Sequence, residues 1–315
     1  MKTSKILITG ALGQIGTELS VALASKYGSE NIIVSDLREP SKPLEAGIFE
    51  QLDVMDFKRF TEVLEKHQVD IVYHLASLLS GTSEKNPALA WKLNIDPLLY
   101  LCNLAKEGKL KQIFWPSSIA VFGREIPKTN VGQEVPLNPS TVYGITKLAG
   151  EKWCEYYHQK HGVDIRSIRY PGLISWKAPA GGGTTDYAVE IFHKAIEEKK
   201  YTSFIAEQTA MPMLYMDDAI EATLKLMEAP TESITVRTSY NLGGMSFTPK
   251  ELAETIKKEI PEFEIAYEPD FRQAIADSWP ASIDDSVAKR DWGLSYIYDL
   301  EKMTKEMIQN LKKPA

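Results

Sequence analysis

The chain alternates short runs rich in apolar and β-branched residues with longer stretches of helical length, and this alternation limits its possible folds most. The run KILITG (5–10) precedes the helix-like IGTELSVALASKYG (15–28), which precedes NIIVSDL (31–37). The same order continues through FKRFTEVLEKHQ, DIVYHLAS, ALAWKLNIDPLLYLCNLAKEG, KQIFWPSS, TKLAGEKWCEYYHQKHG and DIRSIRYPGL. Such alternation indicates βαβ units around a parallel sheet that is covered on both faces. The predicted fold class is α/β, a Rossmann-type doubly wound parallel sheet.

A glycine-rich turn directly follows the first predicted strand. Gly10, Gly13 and Gly16 permit a tight turn and a close backbone approach to a pyrophosphate, with Gln14 and Ile15 at the start of the following helix. Asp36 ends the second predicted strand, 20 residues after Gly16. A carboxylate there accepts hydrogen bonds from ribose hydroxyls and repels a 2′-phosphate, which favours NAD over NADP. The nearby Arg38 leaves NADP open, because a guanidinium can accommodate that phosphate.

The length of the chain and a change of rhythm predict its domains. At 315 residues, the chain exceeds the roughly 250 residues at which single cores tend to split. After about residue 175 the alternation gives way to longer loops with scattered helices. We therefore expect an NAD-binding Rossmann domain over 1–175, with later segments returning to the sheet, and a smaller, interleaved, mostly substrate-binding lobe over 176–315.

Candidate acid–base residues lie in the middle of the chain. Tyr143 and Lys147 are four residues apart in a predicted helix, so their side chains share one face. A nearby ammonium favours a phenolate, which would bring the pKa of a tyrosine down toward the working range of a base. Ser117 and Ser118 follow a strand, at the sheet edge where doubly wound folds bind ligands. Together these residues predict proton abstraction from an alcohol.

Three further segments lie between the glycine-rich turn and Tyr143: Asp53–Val54, HLAS (74–77) and SSIAVFG (117–123). Together and in this order, all these motifs resemble the extended short-chain dehydrogenase/reductase family over nearly the whole chain. The resemblance implies that Tyr143 is the base, that Lys147 lowers its pKa and holds the nicotinamide ribose, and that Ser118, with Ser117 as the fallback, orients the substrate oxygen. It also implies cofactor contacts at Asp53, Val54, Leu75, Ala76, Tyr170 and Pro171. Asn94 matches a helix asparagine of the family. Its alternative role is a hydrogen bond to the backbone at a helix irregularity.

Within that family, the segments SLLSG (77–81), RYPGLISWKAPAGGGTTDYAVEIF (169–192), MPMLYMDDA and ADSWPASIDDS are similar to the short-chain type of NAD-dependent L-threonine 3-dehydrogenases. This implies oxidation of the L-threonine β-hydroxyl to 2-amino-3-oxobutanoate. The expected substrate contacts are Ser80, Ser118, Tyr143, Gly183, Thr184, Thr185, Asp186 and Trp279. Asp186 is equally suited to cap the following helix, and Trp279 to a core position. The glycines at 181–183 suggest a hinge for a lid.

Composition and charge favour a soluble small-molecule enzyme. A net charge of −7 without a basic patch argues against nucleic acid as a partner, and no apolar run approaches the ~20 residues of a membrane span. No signal segment is recognised, so we expect a cytoplasmic protein. Cys102 and Cys154 lack metal-ligand spacing, so we expect buried thiols and no metal. The family resemblance suggests a homodimer, with Trp153, Tyr156 and Tyr157 on its face.

Two other functions remain open at this stage. A sugar-nucleotide epimerase or dehydratase of the same family would use the same base and retain its NAD tightly. A non-catalytic NAD-sensing protein would keep the fold without needing the full set of Tyr143, Lys147 and Ser118.

Overall fold

The computed structural model describes residues 4–177, 181 and 183–313. Within them the strands are β1 Lys5–Thr9, β2 Ile32–Asp36, β3 Ile48–Gln51, β4 Val69–His74, β5 Gln112–Phe114, β6 Ser117–Ser118, β7 Ile165–Arg166, β8 Ile168–Tyr170, β9 Gly172–Ile174, β10 Lys200–Ser203, β11 Met211–Tyr215, β12 Tyr240–Asn241, β13 Met245–Phe247 and β14 Glu264–Tyr267. The helices are α1 Gln14–Tyr27, α2 Phe57–His67, α3 Ser80–Lys85, α4 Pro87–Lys106, α5 Val142–His161, α6 Tyr187–Glu197, α7 Met216–Glu228, α8 Pro249–Glu259, α9 Phe271–Ala276, α10 Ser286–Trp292 and α11 Leu300–Leu311.

The chain divides into two compact units. The first comprises Met1–Ser118, Ser140–Arg169 and Thr223–Tyr240, and the second comprises Ile119–Pro139, Tyr170–Ala222 and Asn241–Ala315. The predicted assignment of NAD binding to residues 1–175 and of substrate binding to residues 176–315 stays a prediction. Among the described residues, no helix combines the length and apolar character that crossing a membrane requires.

A parallel sheet organises the first unit. Its strand order is β3-β2-β1-β4-β5-β7, and the pairings are parallel throughout. The central strands of this sheet consist of apolar residues because both faces of the sheet are covered. Leu7, Ile33, Val72 and Ile113 are fully buried. This arrangement confirms the predicted α/β, Rossmann-type sheet.

Helices α4 and α5 pack against each other in the first unit. Asn86 caps α4 by accepting a hydrogen bond from the Leu89 amide, and Thr141 caps α5 by accepting one from the Gly144 amide. Helix α5 ends at Gly162, whose left-handed conformation (φ 68°) suits glycine. Cys102 of α4 and Cys154 of α5 are buried free thiols in the shared core, as expected.

The second unit is built on smaller sheets. Strand β11 lies between β9, its parallel partner, and β13, its antiparallel partner, while β10 and β14 form a parallel pair. Helix α8 begins with a capping box, in which Thr248 and Glu251 bond reciprocally to each other's backbone amides. Its apolar face and those of α6 and α11 are buried, with Ile191, Ile256 and Met307 fully enclosed.

The segment DIRSIRYPGL, predicted as one strand, forms three. β7 joins the large parallel sheet, β8 lies between β6 and β12, and β9 pairs with β11. Ser167 and Pro171 separate these strands, and proline has no amide hydrogen for a ladder. Strand β3 and helices α3, α9 and α10 had no counterpart in the sequence prediction, because their runs are short. Helix α11 also had none, although its buried residues Met303, Met307 and Ile308 recur at helical spacing.

Gly150 supplies a test of packing in the first unit. A Cβ at this position would lie 2.3 Å from Cη2 of the buried Trp115 ring. We expect Gly150→Ala to lower the free energy of unfolding by about 1–2 kcal/mol, because overpacking outweighs the gain in helix propensity. Gly132→Ala is the control, since nothing lies within 4 Å of its added Cβ. Chemical denaturation of both variants measures the difference, and equal stability would contradict this account of the contact.

Candidate active site

The glycine-rich turn of the first unit joins β1 to α1 with no room for side chains. Gly10 has φ +68°, and a Cβ there would lie 2.8 Å from the Ala76 amide nitrogen. A Cβ on Gly16 would lie 2.6 Å from the Gly10 carbonyl oxygen and from the Ala11 Cα. The N-cap of α1 is Gly13, and no side chain caps this helix end. The N-terminus of α1, with Gln14 and Ile15 in its first turn, therefore suits a phosphate group.

Asp36 stands at the carboxyl end of β2 and is held toward this turn. Its Oδ2 accepts a hydrogen bond from the Leu12 amide at 3.2 Å, and its Oδ1 accepts from the Arg38 amide and Arg38 Nε at 3.1 and 3.2 Å. Asp36 is buried, whereas 70% of the Arg38 side chain is exposed. The carboxylate is thus fixed beside the glycine turn, where an adenosine ribose can bond to it.

The other predicted cofactor residues of this unit lie after neighbouring strands. Asp53, which is exposed, follows β3, while Val54 is part of the core. Leu75 and Ala76 follow β4, where their amides bond to the Thr9 carbonyl and hydroxyl at 3.1 and 3.4 Å. The uncapped helix end, the enclosed glycines and the fixed acidic residue together fit a dinucleotide.

Tyr143 and Lys147 project from one face of α5, as predicted. Lys147 is 2% exposed, and its Nζ donates a hydrogen bond to the Pro116 carbonyl at 2.8 Å. The same Nζ lies 4.6 Å from the centroid of the Trp115 ring and 5.4 Å from that of the Tyr143 ring. The ammonium is therefore held between the helix and the end of β5 by one carbonyl and two aromatic faces.

Burial dominates the ionisation of this pair. It raises the pKa of Tyr143 to about 12, although a hydrogen bond with Ser118 opposes the rise. It lowers the pKa of Lys147 to about 7, against the opposing influence of Cys154 and Glu151. The proximity of Lys147 predicted a lowered pKa for Tyr143. The pKa of Tyr143 rises instead, because desolvation penalises the phenolate.

The two serines of β6 have different partners. Ser118 hydrogen-bonds to Tyr143. Ser117 is buried and donates a hydrogen bond to Glu151 Oε1 at 2.6 Å. Side chains of adjacent strand residues point to opposite faces, so the two serines cannot share one partner. The geometry favours Ser118 over Ser117 as the residue beside the Tyr143 hydroxyl.

The loop after β4 is tied to α5 through the buried Asn94. Its Oδ1 accepts hydrogen bonds from the Leu78 amide at 2.8 Å and from Ser77 Oγ at 3.0 Å, and its Nδ2 donates to Thr146 Oγ1 at 3.0 Å. Ser80, a predicted substrate contact, begins α3 shortly after this loop and is partly buried. Asn94 thus holds the Ser80 loop in register with the helix that carries Tyr143.

The remaining predicted contacts belong to the second unit. Tyr170 ends β8 and is buried, and Pro171 follows it. Thr184 is buried and Thr185 partly buried, in the turn that leads into α6. Trp279 is 7% exposed, as its core alternative requires.

Asp186 is the N-cap residue of α6, but its side chain makes no capping hydrogen bond to that helix. Its Oδ2 instead accepts from the Gly183 amide at 2.6 Å. The expected capping contact is therefore replaced by a bond that closes the turn before the helix. Ala178, Pro179, Ala180 and Gly182 lie outside the described residues, so the glycine hinge stays a prediction.

Sequence reasoning missed several buried groups around Lys147. Glu151 follows Lys147 by four residues on α5, and Arg169 pairs with it at 2.8 Å. His74 ends β4, where its Nδ1 lies 2.8 Å from Thr9 Oγ1. The four-residue spacing of Tyr143, Lys147 and Glu151 was the available signal for the glutamate. No sequence pattern identified its arginine partner, which comes from a distant strand.

Asp36 gives a test of the cofactor end. Replacing it with Asn removes the negative charge. We therefore expect NAD binding to weaken by about 1.5–3 kcal/mol, and the difference in affinity between NAD and NADP to become smaller. Calorimetric titration with each dinucleotide measures both effects. Asp270→Asn is the matched control, because Asp270 pairs with the arginine two residues later, as Asp36 does, but belongs to the second unit. If the ratio of the NAD and NADP dissociation constants is unchanged in Asp36→Asn, Asp36 does not contact the ribose.

Comparisons with known proteins agree with this geometry. The model of the NAD dependent epimerase/dehydratase family matches residues 6–243. An uncharacterized epimerase/dehydratase of Staphylococcus saprophyticus is 49% identical over 311 residues, which cover 98% of this chain and 97% of that protein.

Two solved structures are similar over almost their whole length. The GalE-like L-threonine dehydrogenase from Cupriavidus necator, in its holo form, is 52% identical, with a TM-score of 0.96 over 98% of this chain and 100% of that one. The L-threonine dehydrogenase from Clostridium difficile is 50% identical, with a TM-score of 0.95 over 99% of this chain and 98% of that one. The chain therefore belongs to the NAD-dependent epimerase/dehydratase family, within the extended short-chain dehydrogenases/reductases, and its cofactor is NAD.

Proposed function

We propose that the protein oxidises L-threonine at its β-hydroxyl, giving 2-amino-3-oxobutanoate. The observation that carries this proposal is the hydrogen bond between Ser118 and Tyr143, next to the buried Lys147. That grouping suits removal of a proton from an alcohol. The substrate is proposed from the two solved L-threonine dehydrogenases, which share about half of the residues over nearly the entire chain.

The roles follow from the positions of the side chains. Tyr143 is the proposed base that takes the hydroxyl proton, and Ser118, which bonds to it, orients the same oxygen. Lys147 is proposed to stabilise the phenolate, because its Nζ lies 5.4 Å from the Tyr143 ring centroid. When bound, NAD would accept the hydride from the β-carbon, which completes the two-electron oxidation of the alcohol to the ketone. Burial raises the pKa of Tyr143 to about 12 and lowers that of Lys147 to about 7. As pH rises, the phenolate fraction increases while the Lys147 charge that stabilises it is lost, so turnover should pass through a maximum between these two pKa values.

The proposed substrate contacts outside this grouping are Ser80, Gly183, Thr184, Thr185, Asp186 and Trp279. Hydroxyl and amide donors suit the carboxylate of an amino acid, and the Asp186 carboxylate suits its ammonium. Asp186 Oδ2 already accepts from the Gly183 amide, but a carboxylate has further lone pairs.

The homodimer and the cytoplasmic location stay predictions. On α5, Tyr156 is 45% exposed, Trp153 is partly buried, and Tyr157 is buried. Of the three aromatic residues predicted for a dimer face, Tyr156 is thus the one that presents most surface, and Tyr157 bonds instead to Asn103 at 2.8 Å.

A substrate panel tests the proposed reaction. The purified protein is mixed with NAD and, in parallel, with L-threonine, L-allo-threonine, L-serine or a UDP-sugar, and NADH absorbance is followed. We expect the fastest net NADH formation with L-threonine. Tightly retained NAD, with conversion of the UDP-sugar but no net NADH, would assign an epimerase instead. NAD binding without turnover of any alcohol would assign a sensor.

Tyr143→Phe tests the base. Because the phenol oxygen is lost while the ring remains, we expect turnover to fall about 10²- to 10⁴-fold with little change in NAD affinity. Tyr156→Phe is the control on the same helix, since its exposed hydroxyl lies outside the proposed site. Steady-state rates and NAD titrations of both variants provide the measurement. Unchanged turnover in Tyr143→Phe would exclude it as the base.

A further inference from the structure

A buried ion pair lies one helical turn beyond Lys147. Glu151 is fully buried, and 3% of the Arg169 side chain is exposed. Arg169 Nε donates to Glu151 Oε1 at 2.9 Å, and Arg169 Nη2 donates to Glu151 Oε2 at 2.8 Å. The pair is thus a two-pronged arginine–carboxylate contact, which fixes both orientation and distance.

Glu151 also holds the strand that carries the proposed catalytic serine. Its Oε1 accepts a second hydrogen bond, from Ser117 Oγ at 2.6 Å. One carboxylate therefore joins α5, β6 and β8, through Glu151, Ser117 and Arg169 respectively. Ser118 follows Ser117 directly, so a shift of the carboxylate would move Ser118 relative to Tyr143.

The same carboxylate contributes to the charge around Lys147. The groups that act on or contact the Lys147 ammonium are His74 at the end of β4, the Pro116 carbonyl and Trp115 ring after β5, and Tyr143, Glu151 and Cys154 on α5. His74 is neutral, because burial, with the charge of Lys147, lowers its pKa to about 3. The thiol of Cys154 is also neutral, because burial, with Cys102 and Glu151, raises its pKa. The carboxylate of Glu151, in its ion pair with Arg169, is therefore the acidic group that raises the pKa of Lys147 against the effect of burial.

We propose that Glu151, paired with Arg169, is a positioning residue that favours the protonated form of Lys147 and holds Ser118 in place through Ser117. The reacting atoms touch neither Glu151 nor Arg169 in this account. The pair acts through Lys147 on one side and through β6 on the other. The inference rests on the proposed function for its consequence in turnover, but its effect on Lys147 is a property of the protein alone.

The direct test is the titration of Lys147 in cofactor-free protein, followed by NMR on ¹³C-labelled lysine side chains and assigned with Lys147→Met. Glu151→Gln removes the negative charge and leaves the Arg169 charge unpaired. We expect the Lys147 midpoint to fall by about 1 unit or more, because an opposite nearby charge favours the charged form. In Glu151→Gln/Arg169→Gln the midpoint should lie between those of Glu151→Gln and the unaltered protein, since no unpaired guanidinium remains. A midpoint unchanged in Glu151→Gln would overturn the electrostatic role.

Turnover on the best substrate of the panel is measured with the same variants. We expect Glu151→Gln to lower kcat about tenfold or more, with KM values for substrate and NAD changed by less than about threefold. Glu151→Asp keeps the charge but shortens the reach to Ser117. It should therefore keep the Lys147 midpoint and still lose part of kcat. Loss of kcat in proportion to loss of thermal stability across all variants would reduce Glu151 to a structural residue.

Glu50→Gln is the matched control for removing the charge of a buried, ion-paired carboxylate. Glu50 is 6% exposed and is paired with Arg59, Lys66 and His67, on the edge strand β3 of the same sheet. It should lower the melting temperature without moving the Lys147 midpoint. If Glu151→Gln does not fold, the double variant decides the matter: its midpoint must lie below that of the unaltered protein. Failure of L-threonine as a substrate would leave this titration test intact.

Discussion

The burial of one ammonium group, that of Lys147, is the constraint on which the rest of the site depends. A charge that is 2% exposed must find its partners within the protein, and here these are the Pro116 carbonyl and the faces of Trp115 and Tyr143. Trp115 can lie beneath the lysine only because Gly150 leaves room for its ring. The burial of the Lys147 ammonium and the packing of the core are thus parts of a single arrangement.

The sheet places these groups without any dedicated scaffold. Parallel strands end at a common edge, so the segments after β1, β2, β4 and β5 lie side by side, as the order β3-β2-β1-β4-β5-β7 requires. The glycine turn, Asp36, the Leu75–Ala76 loop and the serines of β6 follow those strands in turn. Asn94 then ties the loop after β4 to α5 through Thr146, which fixes the helix of Tyr143 against the same edge.

Patterns that are local in sequence were sufficient to predict much of this arrangement. The sheet strands that are buried on both faces, the glycine turn with Asp36, and the Tyr143–Lys147 face all depend on spacing within one or two elements. Contacts between distant segments were not predictable: Arg169 and Glu151 are 18 residues apart on different elements, and no spacing in the sequence pairs one with the other. The separate strands β7, β8 and β9 were not predicted for a related reason, since the strands with which they pair determine their separation into three sheets.

The ionisation of the site was predicted with the wrong sign because sequence gives the identity of neighbours but not their solvation. A lysine beside a tyrosine lowers the tyrosine pKa if the lysine is charged, yet burial moves both groups toward their neutral forms. A buried anion such as Glu151 then has a role that a solvated site would not need, because it partly offsets the effect of burial on the lysine pKa. Its own charge is tolerable only because Arg169 pairs with it. A buried ammonium such as that of Lys147 therefore favours buried compensating charges, and the role proposed for the Glu151–Arg169 pair follows from that requirement.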